Sequence, residues 1–555
     1  MKIKLTFALL LFAIVSFGQT ALFSKSKNYT RQDSLRGSVT SERIWWDLLH
    51  YDLFVAVSPE TKSISGKNTI TYKVLSSRDV MQIDLQSPMK ISRVTQNNKE
   101  LEVRDEGNAH FITLTQAQEI GATLKLTIEF SGIPHEAINA PWDGGYSWTK
   151  DENGKHFIAT SNQGIGASLW WPCKDHMYDE PDNGVKLSIN VPKDLVAVGN
   201  GRLLKVTKEK NNTKTYVWNV VNPINNYGIN VNVGDYVNFS DKYNGEKGVL
   251  DMDYWVLSYN LEKAKIQFKD ALRTIEAFEY WFGPYPFYED SYKLVETPYL
   301  GMEHQSSVTY GNSYKNGYNG RSRDMFDFSG TGWGVKWDYI IIHETGHEWF
   351  ANNITYLDIA DMWLHESFTT YSESLFVEYH YGKEAAATYS RGLRMGIRNT
   401  KPIIGDYGVN AEGSGDMYPK GNNLLHTLRQ IVDNDEKWRN VLRGLNKDFY
   451  HQVATSEQVE KYMSDQLGID LSTFFDQYLR DIRVPVLEYR IDGNQLKYRW
   501  TNCIDDFDMP VKITIDDTEQ WIKPTKNAQF LELPTATSDI KVHPDFYIYH
   551  SNTLN

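Results

Sequence analysis

Two histidines four residues apart, with a glutamate between them and a second glutamate further along, constrain this chain more than any other feature. They read His343-Glu344-Thr345-Gly346-His347, and Glu366 follows the second histidine with eighteen residues between them. On a helix, residues four apart project from one face, so both imidazoles can reach one metal ion. Glu344 falls beside them, placed to take a proton from water at the metal's open position. Glu366 would complete a set of two histidines and one carboxylate, the donor set of a hydrolytic zinc site with its fourth position left open. The preceding run Tyr339-Ile340-Ile341-Ile342 is apolar all round, which predicts a buried helix. Burying two histidines and a glutamate on such a helix calls for a compensating partner, and one Zn2+ per chain is the simplest.

A chain of 555 residues exceeds one ordinary core, so several domains are expected. From about Trp45 to Ser240 short alternating runs are separated by turn residues. Thr69–Val74 and Leu124–Glu129 alternate at period two, as half-buried strands do, and Val196–Gly201 reads as a strand ending in a turn. Near Asn260 the period changes. Phe268, Leu272, Ile275 and Phe278 recur at helical spacing until Gly283-Pro284 stops the helix. A strand at Lys293–Glu296 precedes the histidine helix, and several helices follow to about Leu479. After Pro485 the alternation returns, with a hairpin over Leu487–Trp500 turning at Asp492-Gly493-Asn494. The predicted layout is multidomain α+β: a signal peptide over 1–18, an antiparallel β domain over 19–240, a catalytic α+β domain over 241–483 and a small β-sandwich-like domain over 484–555.

The short positive segment Met1–Lys4 and the apolar run Leu5–Phe17 have the form of a signal peptide, with cleavage before Gln19. Export to the periplasm or outside the cell is therefore expected, without stable membrane insertion. A formal charge of -13 argues against nucleic acid as a partner. Cys173 and Cys503 are read as two buried free thiols rather than a disulfide framework. A sequon at Asn353 follows the histidine helix too closely for a glycan to fit well. No sequence pattern fixes an oligomeric state.

Taken together, the motifs resemble the gluzincin zinc aminopeptidases, the family of aminopeptidase N and leukotriene hydrolase. His343–Phe350 (HETGHEWF) is similar to that family's HExxHxWF segment, and Trp363–Tyr371 (WLHESFTTY) to its WLNEGFAxY segment. Phe282–Phe287 (FGPYPF) and Trp171–Asp175 with Glu180-Pro181 also match. Recognisable similarity runs from about Gln163 to Leu428. The resemblance implies a thermolysin-like catalytic domain and release of the first residue from peptides with free N-termini. Leu300-Gly301-Met302-Glu303-His304 stands where the family has GxMEN, which implies that Glu303 receives the substrate's α-ammonium and that Gly301 and Met302 contact substrate. Leu300 replaces the usual glycine and His304 the usual asparagine. Tyr418, before Lys420-Gly421, resembles the family's catalytic tyrosine, whose phenol stabilises the oxyanion. Gln163 falls where the family places a second amine-holding glutamate or glutamine, here neutral, which implies weaker anchoring of the amine. Glu373, two helical turns past Glu366, is a candidate orienter of a metal ligand.

Three other readings share these motifs. A zinc endopeptidase would lack the amine anchor that Glu303 supplies. An epoxide hydrolase of the leukotriene hydrolase branch would match Gln163, but that branch has a helical C-terminal domain, which the β pattern after Pro485 does not predict. A non-catalytic scaffold would be expected to have lost ligands or base. Without a helical roof, the cleft is expected to be open or closed by another chain.

Overall fold

Strand Trp46–Ser58 runs through the N-terminal part with alternate residues buried, Tyr51, Leu53 and Val55 among them. It pairs antiparallel with Ser63–Val74, matching Asp52 with Thr69, and parallel with Val185–Pro192, matching Leu53 with Leu187. These strands lie within an eight-stranded sheet. A four-stranded sheet contains His156–Ser161 and Asn232–Gly234. Both sheets contribute to one core with Trp46, Trp170, Trp171, Ile158 and Val233, so the period-two apolar faces close on each other. The computed structural model describes residues 28–320, 326–533 and 539–554. The signal segment expected over 1–18 lies outside them.

A five-stranded mixed sheet opens the second part, in the order Tyr236–Gly245, Gly248–Leu257, Tyr292–Glu296, Val308–Tyr310 and Gly301–Met302. The boundary expected at 240 thus falls inside the strand Tyr236–Gly245, which pairs along its length with Gly248–Leu257. Gly301–Met302 is the edge strand, and it delivers Glu303 to the cleft. Helix Lys269–Phe282 buries Ala271, Ile275 and Phe278 and ends at Gly283 with φ 93°, a backbone angle that favours glycine.

Helices Tyr339–Gly346 and Trp363–Tyr381 pack directly on one another. Gly346 permits this closeness, because a Cβ there would lie 2.6 Å from Ser372 Oγ and 3.2 Å from Thr369 Cγ2. After Pro485 the hairpin Val486–Asp492/Gln495–Thr501 forms as predicted, within a four-stranded sheet beside a three-stranded one. Trp500, Val511 and Ile513 of these strands share one core with the catalytic helices. Tyr478 Oη donates to Tyr547 O at 2.8 Å, which ties the last helical segment to the C-terminal strands. Cys173 and Cys503 are both buried and free. Asn353 is buried and its amide donates to Asn446, which leaves no room for a glycan.

Candidate active site

The helix carrying His343 and Glu344 starts at Asp338, whose carboxylate accepts the N–H groups of Ile340 and Ile341 at 3.2 and 3.4 Å. Ile340, Ile341 and Ile342 are all buried, as the apolar run predicts. The helix is short and ends at Gly346. His347 caps it with φ -65° and ψ -17°, still right-handed helical, so the four-residue spacing keeps both imidazoles on one side. Their ring centroids lie 5.0 Å apart. Glu366 sits in the first turn of the neighbouring helix, where the helix dipole favours a carboxylate.

Each histidine uses Nδ1 to fix its ring. His343 Nδ1 lies 2.7 Å from Glu373 Oε1, and His347 Nδ1 lies 3.0 Å from Phe350 O. Both Nε2 atoms are thereby directed at Glu366 Oε2, at 3.7 and 3.4 Å. Glu366 Oε2 is buried and accepts no hydrogen bond. Donor atoms about 2.0 Å from a tetrahedral ion stand ~3.3 Å apart, close to these separations. The donor set, its spacing and the orphaned oxygen fit one zinc ion. Burial opposes ionisation of Glu366, yet the two histidines hold its carboxyl well below the usual range. Burial pushes Glu344 up to about 7, with the His343 charge pulling the other way.

Glu303 is buried beside this cluster, and its ligand atom, with those of Glu344 and His347, falls within a mutual 4.8 Å. Gln163 Nε2 donates to Glu303 Oε1 at 2.5 Å and to Glu366 Oε1 at 3.1 Å, so the residue from the β domain bridges the two carboxylates. Tyr227 Oη, also from the β domain, donates to the same Glu303 oxygen at 3.1 Å. Tyr418 stands across the histidines, its ring 6.1 Å from that of His343 and nearly parallel to it. Burial keeps its phenol well above the ordinary pKa, hence an O–H donor. Gly301, Met302, Glu303, Gln163 and Tyr418 all line one cavity of about 1100 Å³ in front of the histidines.

Residues 48–227 match the Peptidase M1 N-terminal domain, and residues 267–478 match the Peptidase family M1 domain. The chain belongs to peptidase family M1. Among its M1-like relatives, a "Probable aminopeptidase 1" of Sulfurisphaera tokodaii is 22% identical over 525 residues, covering 87% of this chain and 62% of the relative. A leucyl aminopeptidase of Saccharolobus solfataricus is 21% identical, covering 80% of this chain and 55% of the relative. The chain therefore spans less than two thirds of these curated relatives. An M1 zinc metallopeptidase of Deinococcus radiodurans, solved with a Tyr-Ser-Ala substrate, superposes with a TM-score of 0.67 at 20% identity. That superposition covers 79% of this chain and 95% of the other, and it shows the shared fold.

The structure brings Gln163, Gly301, Met302, Glu303, His343, Glu344, His347, Glu366, Glu373 and Tyr418 to this cavity, while His304 is buried outside its lining. Glu373 proves to bond His343. Three contributors were not foreseen. Tyr227 reaches Glu303 from a short turn in the β domain. Tyr389 Oη donates to Glu373 Oε2 at 2.7 Å, extending the chain of hydrogen bonds from His343. The segment containing Asn28, Tyr29 and Asp33 forms part of the cavity wall. It is tied down by Tyr29 Oη donating to Asp406 and by Arg31 pairing with Glu106. So the cleft expected to be open is partly walled by the chain's own N-terminal segment.

Proposed function

We propose that this chain is a zinc-dependent aminopeptidase that removes the first residue from peptides with free N-termini. His343, His347 and Glu366 would hold the ion, which supplies Lewis acidity to the scissile carbonyl and lowers the pKa of water. Glu344 takes a proton from the attacking water and returns it to the leaving amine, a role its carboxyl near neutrality suits. Tyr418 donates its O–H to the oxygen on which negative charge develops. Glu303 receives the α-ammonium, and Gln163 and Tyr227 fix the position of its carboxylate. Gly301 and Met302 flank the first residue.

The observation that carries this reading is Glu303. It is a buried carboxylate whose ligand atom lies within 4.8 Å of those of Glu344 and His347, so it measures one residue from the chain end. The decisive experiment offers aminoacyl fluorogenic substrates to wild type and Glu344→Gln, with and without a chelator. Hydrolysis by wild type alone, abolished by chelation and restored by zinc, is expected. Equal cleavage of an N-acetylated peptide would favour an endopeptidase, and a purified chain free of metal would favour a binding scaffold.

Two finer points belong to the same proposal. The strands after Pro485 act as a small β-sandwich-like unit that buttresses the catalytic helices. Export is supported by the Met1–Phe17 pattern, and among the described residues no helix is long and apolar enough to cross a membrane.

A further inference from the structure

The cavity in front of the histidines has a lopsided charge distribution. Carboxylates line it from several directions, among them Asp33, Asp143, Glu303 and Glu412. Arg398 is the one guanidinium or ammonium among its described lining residues. On the same stretch of chain Arg391 pairs with Asp545, and Arg394 donates to Asn423 Oδ1 and Pro544 O. The Arg398 side chain has no ion pair or hydrogen bond among the described residues, although its main chain is firmly held. Arg398 N and Asn399 N donate to the two oxygens of buried Asp416 at 2.8 and 2.6 Å. Asn399 Nδ2 donates to Tyr547 Oη at 3.0 Å, which pins the loop to the C-terminal strands.

Asp416 stands two residues before Tyr418, so Arg398 rises from the Tyr418 side of the cavity. That side stacks against His343, whereas Glu303 groups with His347 and Glu344. One cavity therefore holds both a carboxylate beside the base, Glu303, and an unpaired cation, Arg398. A short peptide carries the matching pair of charges, an ammonium at one end and a carboxylate at the other. We propose that Arg398 receives the free α-carboxylate of a short peptide whose amino end is held at Glu303. This rests on the aminopeptidase reading and names its substrate class as short peptides with free C-termini. A guanidinium can take a carboxylate with two parallel hydrogen bonds. A fixed cation at one place in the cavity also biases the direction in which the peptide enters. A longer peptide carries its carboxylate beyond the cavity and gains nothing from Arg398.

The test uses the zinc-loaded full chain and three peptides: Leu-Ala-Ala, its C-terminal amide, and amidated Leu-Ala-Glu. Wild type should prefer the free acid over the amide by about tenfold or more in kcat/KM, chiefly through KM. High salt should shrink the preference. In Arg398→Gln the acid-to-amide ratio should fall to near one, and Arg398→Lys should recover part of it. An unchanged thermal midpoint shows that the variants fold, as expected for an exposed side chain. Equal rates on acid and amide by wild type, or a ratio unmoved in Arg398→Gln, overturn the proposal. Amidated Leu-Ala-Glu matching the free acid overturns the assignment to the α-carboxylate. Hydrolysis of none of the three by wild type brings down the aminopeptidase reading and this inference with it.

Discussion

Gln163 donates its side-chain N–H to Glu303 at 2.5 Å, joining the β domain to the edge strand of the catalytic sheet. The same amide reaches Glu366 at 3.1 Å, so one neutral group separates two carboxylates. Gln163→Glu would place three carboxylates in contact. Without substrate their repulsion should lower the melting temperature. With substrate the added charge should strengthen the hold on the α-ammonium, lowering KM for an aminoacyl substrate by about five- to tenfold. Comparable Michaelis constants for the two proteins would refute this account of amine binding.

His343 is oriented through two further side chains. Glu373 accepts from its Nδ1 side and, at the other oxygen, from Tyr389. Glu373→Gln removes the charge that favours the Nδ1–H tautomer, leaving Nε2 less basic toward a metal. Zinc affinity should drop by about 10- to 100-fold. Tyr389→Phe should give a smaller loss in the same direction. Competition with a chelator of known affinity measures both, and unchanged zinc binding in Glu373→Gln would rule out the orienting role.

The metal ligands were legible because each belongs to a pattern along the chain: a four-residue helical spacing for His343 and His347, and for Glu366 its distance from His347 within the segment Trp363–Tyr371. Glu303 and Tyr418 needed the family resemblance, since a lone glutamate or tyrosine carries no spacing signal. Tyr227 and Tyr389 were beyond reach, because only tertiary packing brings them to Glu303 and Glu373. The boundary at 240 illustrates another limit. Alternation marks Tyr236–Gly245 as a strand, but a period of two does not say which sheet it joins. The wall formed by Asn28, Tyr29 and Asp33 depends on long-range ties to Asp406 and Glu106, which no local pattern announces.

Gly301 has a role that its place in the motif did not reveal. A Cβ at this position would lie 2.6 Å from Ile340 Cγ2 and 2.9 Å from Glu344 Oε1. Gly301→Ala must therefore displace the base or the helix that carries it. Displacements of about 1 Å at a reacting group cost on the order of 100-fold in rate. The expected phenotype is a fall in kcat of that size with the bound zinc retained. Full activity in Gly301→Ala would mean that the edge strand yields freely.

His304 is fully buried, and neither ring nitrogen has a hydrogen-bond partner. Burial pushes its pKa down from 6.5 to about 3. Between these values the unfolded chain binds a proton that the folded chain cannot, so stability is intact above pH 6.5 and declines as pH falls towards 3. At pH 5 the loss from this group amounts to about 2 kcal/mol. Asparagine does not titrate and is the residue the family carries here, so His304→Asn should flatten this part of the profile. Denaturant unfolding of both proteins at pH 7 and pH 5 gives the comparison. The wild type should lose more stability than the variant on acidification, and identical losses would show that His304 is protonated in the folded state.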